Sequence, residues 1–248
     1  MVRAAPPDSL TVAPEKLTLP AGGLGHYMRT MLKTSLTPEP LDEAAPAAPT
    51  FGEPLPVTPS PQTLAFLARR RSASALSLGP PAPSRAEIAR MLALAARTPD
   101  HGKLAPWRFV VLEGPSKQAF TAELEEMAQA RTDGPKLVAK LAKIKAPPLT
   151  IAVVSRHIEG EIPEWEQRLS AGAVCTLLII AAQAMGWGAN WITDWYAYDP
   201  AAGALLGLGE GERVAGFVHI GAPREDPLER ARPDPAGLVT YWTPQRPR

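Results

Sequence analysis

Cysteine is nearly absent, with one residue of this type in a chain of 248. A single cysteine cannot form an intrachain disulfide or supply the thiolate cluster of a structural zinc or iron–sulfur site. Cys175 lies in an apolar run, where a small buried hydrophobic residue is the simplest interpretation. The N-terminus also lacks the apolar segment of a secretory signal. We therefore predict a cytoplasmic protein without a metal site.

An excess of charge of either sign is also missing, since 26 basic and 25 acidic residues give a formal net charge of +1. No global field would draw this chain to nucleic acid or to an anionic membrane, so neither is predicted as a partner. Residues 171–193 carry no charge and are about as long as a bilayer crossing. Gln183 and the glycines at 186 and 188 interrupt that stretch, which favours a buried core or interface helix.

Several catalytic motifs are absent. The chain contains no Gly-x-Ser-x-Gly elbow, no phosphate loop of the Gly-x-x-x-x-Gly-Lys type, no His-Glu-x-x-His and no Gly-x-Gly-x-x-Gly between a strand and a helix. These absences argue against serine hydrolases, phosphate-loop enzymes, zinc proteases and the common dinucleotide-binding fold. No catalytic nucleophile can therefore be identified from these motifs.

Proline is abundant, and many of the 29 prolines precede residue 62. Proline removes a backbone donor and fixes φ, so we interpret residues 1–61 as a largely irregular arm with one short helix near 24–33. Residues 62–248 would form the folded domain. There, periodicity and capping signals predict helices near 84–95, 116–131, 136–145, 163–185 and 199–206, and strands near 107–112, 149–154, 191–193 and 214–220. Few strands separated by helices indicate an α+β fold with helices on one sheet.

Two basic segments are candidates for binding an anion. Arg69, Arg70 and Arg71 precede Ser72, and the stretch RTPDHGKLAPWRF at 97–109 adds further cations. Guanidinium groups match phosphate oxygens and stay charged at any working pH. A solvated helix end and a structural turn explain the same residues, so chemistry alone leaves both interpretations open.

Six segments of the sequence carry recognisable motifs, at residues 70–74, 97–101, 106–114, 165–172, 186–191 and 216–223. Their order and spacing resemble those of the nitroreductase superfamily, and most closely of its small bacterial NAD(P)H nitroreductase subgroup. The resemblance spans residues 62–241.

The resemblance implies an FMN-dependent homodimer with a mixed or antiparallel sheet, flanking helices and a long central helix at the dimer interface. The positions that it assigns to FMN are Arg70, Arg71 and Ser72, then Arg97 and His101 from the other subunit, and Trp191, Ile192 and Thr193 along a strand. The positions that it assigns to the nicotinamide donor are Ala181, Ala182, Gln183, Ala184, Met185 and Gly186.

The implied activity is ping-pong transfer of a hydride from NADH or NADPH, through the flavin, to a small electrophilic acceptor such as a nitroaromatic or quinone. The flavin would carry the chemistry. The alternatives are a flavin-binding relative without reductase activity, a flavin-modifying enzyme, or an arm that recruits a partner. Ile192 departs from the subgroup, which usually has arginine there; Lys103, Arg224 and Arg230 are candidates to replace that charge.

Overall fold

The computed structural model describes residues 48–244, so the helix predicted near 24–33 and most of the predicted arm lie outside the described residues. Within that range the chain forms seven α-helices. They are α1 Pro61–Arg69, α2 Arg85–Ala95, α3 Gly114–Gln129, α4 Gly134–Lys140, α5 Ala142–Lys145, α6 Glu164–Ala184 and α7 Pro200–Leu205.

Five strands form one antiparallel sheet within the described residues. They are β1 Leu78–Gly79, β2 Trp107–Glu113, β3 Leu149–Arg156, β4 Gly188–Ile192 and β5 Glu212–Pro223. The order is β1-β5-β3-β2, and β4 also pairs with β5. Because β3 and β4 both pair with residues 217–220, they lie on opposite edges of β5. The register shifts between Val153 and Val154, which leaves Ala215 of β5 as an extra residue at a bulge.

The long helix α6 packs with α2 on one face of the sheet. Its inward residues recur at helical spacing and include Ala171, Val174, Cys175 and Leu178, all fully buried. Burial raises the pKa of the Cys175 thiol to about 12, so this cysteine is an inert core residue, as predicted. The helix is long and apolar enough to cross a membrane, but half of its most apolar window is buried against the protein, as in a core helix.

The opposite face of the sheet carries a buried polar pair. Side chains alternate along a strand, so Thr150 and His219 point away from α6. Thr150 Oγ1 and His219 Nδ1 lie 2.9 Å apart, and burial together with nearby Lys117 lowers the pKa of His219 to about 3. His219 is thus a neutral core histidine, in agreement with its place in an apolar strand.

The predicted elements are present, and several of their bounds differ. The helix predicted near 84–95 is present and begins with a capping box between Ser84 and Glu87. The helix predicted at 136–145 is two helices, which break at Leu141. The helix predicted from residue 116 begins at Gly114, and the strand predicted from residue 191 begins at Gly188. A Cβ on Gly188 would lie 2.6 Å from Leu78 Cδ2, so this glycine permits close packing and does not end the strand.

Candidate functional site

The backbone of residues 70–73 is held between the end of α6 and strand β4. Gln183 Nε2 donates to the carbonyl oxygen of Arg71 at 2.6 Å, and Asn190 Nδ2 donates to that of Ala73 at 2.5 Å. The amide of Ala73 donates to the carbonyl oxygen of Ala189 at 3.1 Å. Three hydrogen bonds therefore fix this extended segment without using its side chains.

The arginine side chains of this segment have no carboxylate partner within 4 Å in residues 48–244. Arg70 makes no side-chain hydrogen bond there, and Arg71 donates only to the carbonyl oxygens of Leu228 at 3.0 Å and Ser72 at 3.1 Å. The pKa of the Glu229 carboxyl is lowered mainly by the backbone N–H of Arg230, with a smaller contribution from Arg71. Positive charge without a direct counter-ion is what a phosphate group requires.

The indole of Trp191 on β4 packs against Gly216 of β5. A Cβ on Gly216 would be 1.8 Å from the indole Nε1, so only glycine accommodates the ring there. The Nε1 donates to the carbonyl oxygen of Ala215 at 3.3 Å, and 38% of the residue stays exposed. Ile192 is half-buried, and Thr193 accepts a hydrogen bond from Tyr198 Oη at 3.0 Å. The end of β4 thus presents an aromatic surface beside residues 70–73.

The loop at 97–105 adopts an unusual backbone that its contacts maintain. Lys103 and Ala105 have φ of 56° and 46°, a left-handed region that non-glycine residues rarely enter. Asp100 accepts from the amides of Leu104 at 3.2 Å and Ala105 at 2.8 Å, while Ser170 Oγ donates to the carbonyl oxygen of Pro99 at 2.6 Å. The loop is therefore fixed on α6 with its cations outward.

Within one chain, the two basic segments lie at opposite ends of α6. His101 Nδ1 contacts Glu166 Oε2 at 2.7 Å near the start of the helix, whereas Gln183 holds Arg71 near its end. At a rise of 1.5 Å per residue, Glu166 and Gln183 are about 25 Å apart along the axis. The structure holds Arg71 at Gln183 and Ala73 at Ala189 and Asn190 of β4, the strand that carries Trp191 and Ile192, and it keeps this segment away from Arg97 and His101.

Comparison with known proteins assigns this sequence to a family. The profile described as Nitroreductase family matches residues 67–222. The chain belongs to the nitroreductase family.

Among its relatives is the Escherichia coli K12 protein named "Putative NAD(P)H nitroreductase YdjA", which is 35% identical over 183 residues, or 72% of this chain and 98% of that protein. A Haemophilus influenzae protein named "Putative NAD(P)H nitroreductase" is 32% identical over 182 residues, with the same two coverages. These matches confirm the predicted resemblance to the NAD(P)H nitroreductases.

Solved structures confirm the predicted α+β nitroreductase-like fold. A nitroreductase-like family protein from Bacillus cereus matches with a TM-score of 0.66 at 20% identity, covering 75% of this chain and 98% of that one. A nitroreductase with bound FMN from Bacteroides fragilis matches with a TM-score of 0.57 at 17% identity, covering 74% of this chain and 100% of that one.

In this nitroreductase family member, the segment predicted to bind a nicotinamide ends a helix. Ala181 and Ala182 are buried against the sheet, and Ala184 and Gly186 are exposed. Gly186 has φ of 86°, and the amide of the next residue, Trp187, donates to the carbonyl oxygen of Ala182 at 2.9 Å, which terminates α6. The two buried alanines have no side-chain surface that an external ligand could reach.

Three tryptophans, Trp187, Trp191 and Trp195, lie on or beside strand β4. Trp187 donates to Glu87 on α2 at 3.0 Å, and Trp195 packs edge-on against Tyr196. Both side chains therefore pack within the fold. Of the three, Trp191 is the one whose neighbour in the strand, Asn190, binds the carbonyl oxygen of Ala73.

The three cations considered as substitutes for arginine at Ile192 occupy different places. Lys103 lies on the loop with His101, at the start of α6. The guanidinium of Arg224 packs against Gly79 of β1. Arg230 follows Leu228, the residue whose carbonyl oxygen binds Arg71. Of the three, Arg230 lies closest in sequence to a residue that contacts Arg71.

Two residues have a place in the structure that the sequence did not indicate. The resemblance assigns Gln183 to the nicotinamide donor, and it gives Asn190 no role. Gln183 and Asn190 hold the backbone of residues 71–73, and both are half-buried. A signal was present for Gln183, because an amide within an apolar helix requires a partner. The partner, 112 residues away in the chain, could not be identified from that signal.

Proposed function

We propose that this protein is an FMN-dependent oxidoreductase that moves a hydride from NADH or NADPH to a small electrophile, such as a nitroaromatic or quinone, in ping-pong turnover. The observation that carries the proposal is the pair of arginines at 70 and 71, held through the backbone and with no carboxylate within 4 Å in residues 48–244. Membership of the nitroreductase family, with relatives named as NAD(P)H nitroreductases, supports the same activity.

The residues present fit FMN. Arg70 and Arg71 offer guanidinium donors for a phosphate, and Ser72 adds a hydroxyl one residue further along. FMN, when bound, supplies the capacity to accept a hydride from a nicotinamide and to pass it to an acceptor. The FMN-bound structure from Bacteroides fragilis, which shares the fold, supports this assignment.

The residues of this chain would bind FMN, orient it and shield it from water. Gln183 and Asn190 set the position of the phosphate-binding segment through its carbonyl groups. The indole of Trp191 provides an apolar surface beside it, which would exclude water from one side of a planar ligand. Ile192 carries no charge. The side chains that would stabilise bound FMN electrostatically are therefore those of residues 70–72 and, from a second chain, Arg97 and His101.

A homodimer supplies that second chain. Along α6, residues at helical spacing stay exposed, among them Trp165 at 67% and Leu169 at 55%. The C-terminal segment adds exposed Leu238, Tyr241 and Trp242. Apolar surface of this extent marks a protein interface. A symmetric pairing through α6 would also let Arg97 and His101 of one chain reach residues 70–72 of its partner.

A flavin-binding relative without reductase activity is the second candidate. The observation that favours it is Ile192, half-buried at a position where the resemblance predicts arginine. For both candidates we propose a cytoplasmic location, which the composition of the sequence supports.

An absorbance spectrum before and after anaerobic addition of NADH or NADPH tests the proposal. We expect purified protein to carry flavin absorbance, to lose it on reduction and to regain it with an added nitroaromatic. Bound FMN that neither donor reduces would select the second candidate. Protein that stays colourless with excess FMN would contradict both.

A further inference from the structure

A cavity of about 260 Å³ lies between the first half of α6 and the start of β5. Cationic side chains dominate its charged lining, namely Arg156, Arg168 and Arg213, with His157 beside them and Glu164 as the single carboxylate. None of these residues belongs to the set that the sequence assigns to FMN or to the nicotinamide donor.

The cavity holds more positive charge than its own carboxylate neutralises. Glu164 Oε1 accepts from Arg168 Nη2 at 2.5 Å. Arg156 donates through Nε and Nη2 to the carbonyl oxygen of Ala105, a neutral acceptor, at 3.1 and 2.9 Å. Arg213 has no hydrogen bond or ion pair through its side chain in residues 48–244. Two of the three guanidinium groups therefore lack a carboxylate partner within hydrogen-bond distance.

The wall of the cavity is built by a buried amide. Gln167 is 3% exposed; its Oε1 accepts from the amide of Ile158 at 2.9 Å. Its Nε2 donates to the carbonyl oxygens of Ile158 at 2.9 Å and Ile162 at 3.0 Å. These bonds fix the loop that follows β3, so the lining is preorganised.

The cavity adjoins the proposed flavin site. Ala215 lines it, and the carbonyl oxygen of Ala215 accepts the hydrogen bond of Trp191 Nε1. The proposed phosphate cations lie elsewhere, because Arg71 binds Leu228, beyond the far end of β5. The twelve residues of β5 span more than about 30 Å. The charge of the cavity is thus separate from the charge that would hold the FMN phosphate.

We propose that this cavity is an anion subsite of the active site, in which Arg213, Arg156 and Arg168 bind the carboxylate or phosphate of a reactant while its other end lies beside Trp191. The proposal rests on the proposed function and adds a substrate class to it. Planar guanidinium groups match both anions, and the volume suits one substituted ring better than a whole dinucleotide.

Calorimetric titration of the FMN-loaded protein tests the subsite without turnover. The probes are 4-nitrobenzoate and its uncharged analogue 4-nitrobenzamide, and the variants are Arg213→Ala and, as a control, Lys136→Ala on the exposed side of α4. We expect 4-nitrobenzoate to bind more tightly than the amide to the unsubstituted protein. Arg213→Ala should weaken the acid about tenfold, because a charge-assisted hydrogen bond is lost. The amide and Lys136→Ala should show no change.

A second arm identifies the source of the anion. If the subsite takes the 2′-phosphate of NADPH, which NADH lacks, Arg213→Ala will weaken the binding of NADPH and leave that of NADH unchanged, with both nitro compounds unaffected. An equal change for charged and neutral probes, or no change for any anion, would overturn the subsite. Selective binding of an anion by a protein that fails to oxidise either donor would overturn the proposed function and leave the subsite standing.

Discussion

The two ends of helix α6 are constructed in different ways. At its C-terminal end, neutral amides hold a backbone and leave arginine side chains without carboxylates: Gln183 binds the carbonyl oxygen of Arg71, and Asn190 that of Ala73. At its N-terminal end, an exposed pair joins His101 to Glu166, and a left-handed loop is anchored by Ser170. We propose that the first end binds the FMN phosphate. The second presents exposed cations, which we propose to reach the site of a partner subunit.

The C-terminal end should give the largest effect. Arg71→Ala removes a cation that we propose for the FMN phosphate, and we expect FMN to bind about 10- to 100-fold more weakly, as for loss of a charge-assisted hydrogen bond. Quenching of flavin fluorescence on titration measures it. Arg69→Ala is the matched control, since this neighbouring arginine is the last residue of α1 and outside the proposed set. Equal losses in both variants would show only a general effect of charge.

The packing of Trp191 on Gly216 should give the next largest effect. Gly216→Ala places a methyl group where the indole lies, so the ring has to move, and we expect about 1–3 kcal/mol lower free energy of unfolding. Urea unfolding followed by tryptophan fluorescence measures the loss. Gly237→Ala, with no atom within 4 Å of the added Cβ, is the control. The double variant with Trp191→Ala should recover part of the loss; failure to recover would place the strain elsewhere.

Removal of the amide at the end of α6 should have a smaller effect. Gln183→Ala leaves the carbonyl oxygen of Arg71 without its donor, which costs about 1 kcal/mol of net hydrogen bonding. Because the arginine side chains remain, we expect FMN affinity to fall several-fold, less than for Arg71→Ala. Flavin titration alongside a melting curve separates the two contributions. Unchanged affinity with a lowered melting temperature would make Gln183 a structural residue only.

The N-terminal end should give the smallest effect on stability. Glu166→Gln weakens the contact with His101. The side chains of Glu166 and His101 are 45% and 62% exposed, so the free energy of unfolding should change by less than about 1 kcal/mol. Chemical denaturation measures it. Arg168→Gln, which breaks the neighbouring exposed pair with Glu164, is the control. A loss of several kcal/mol would mean that this end is part of the folding core.

Local patterns were sufficient to predict much of the fold. The capping box at Ser84, the end of α6 before Gly186 and the buried position of Cys175 follow from spacing and residue type, and each is present. Long-range contacts were not predictable in this way. The residues around Gly188 indicated a break, and they form a strand because Leu78, distant in sequence, packs against that glycine.

The candidate site shows the same division. Arginines at 70 and 71 were identified from residue type together with family resemblance. Their separation from Arg97 and His101 became evident only with the length of α6 between them, and the hydrogen bonds of Gln183 and Asn190 join residues more than a hundred positions apart. The cationic cavity beside Trp191 likewise collects residues from β3, α6 and β5, which no local motif unites.

The central claim, that each site is assembled from both ends of α6 in different chains, is tested most directly by subunit complementation. Arg71→Ala and Arg97→Ala proteins, each weak in FMN binding, are mixed, dissociated and reassociated, and the tightly bound FMN is counted. If the two arginines come from different chains, every mixed dimer contains one site with both arginines intact, and tight binding should return at one FMN per mixed dimer. If they come from the same chain, every site keeps one defect, and the absence of any recovery in verified mixed dimers would contradict the account.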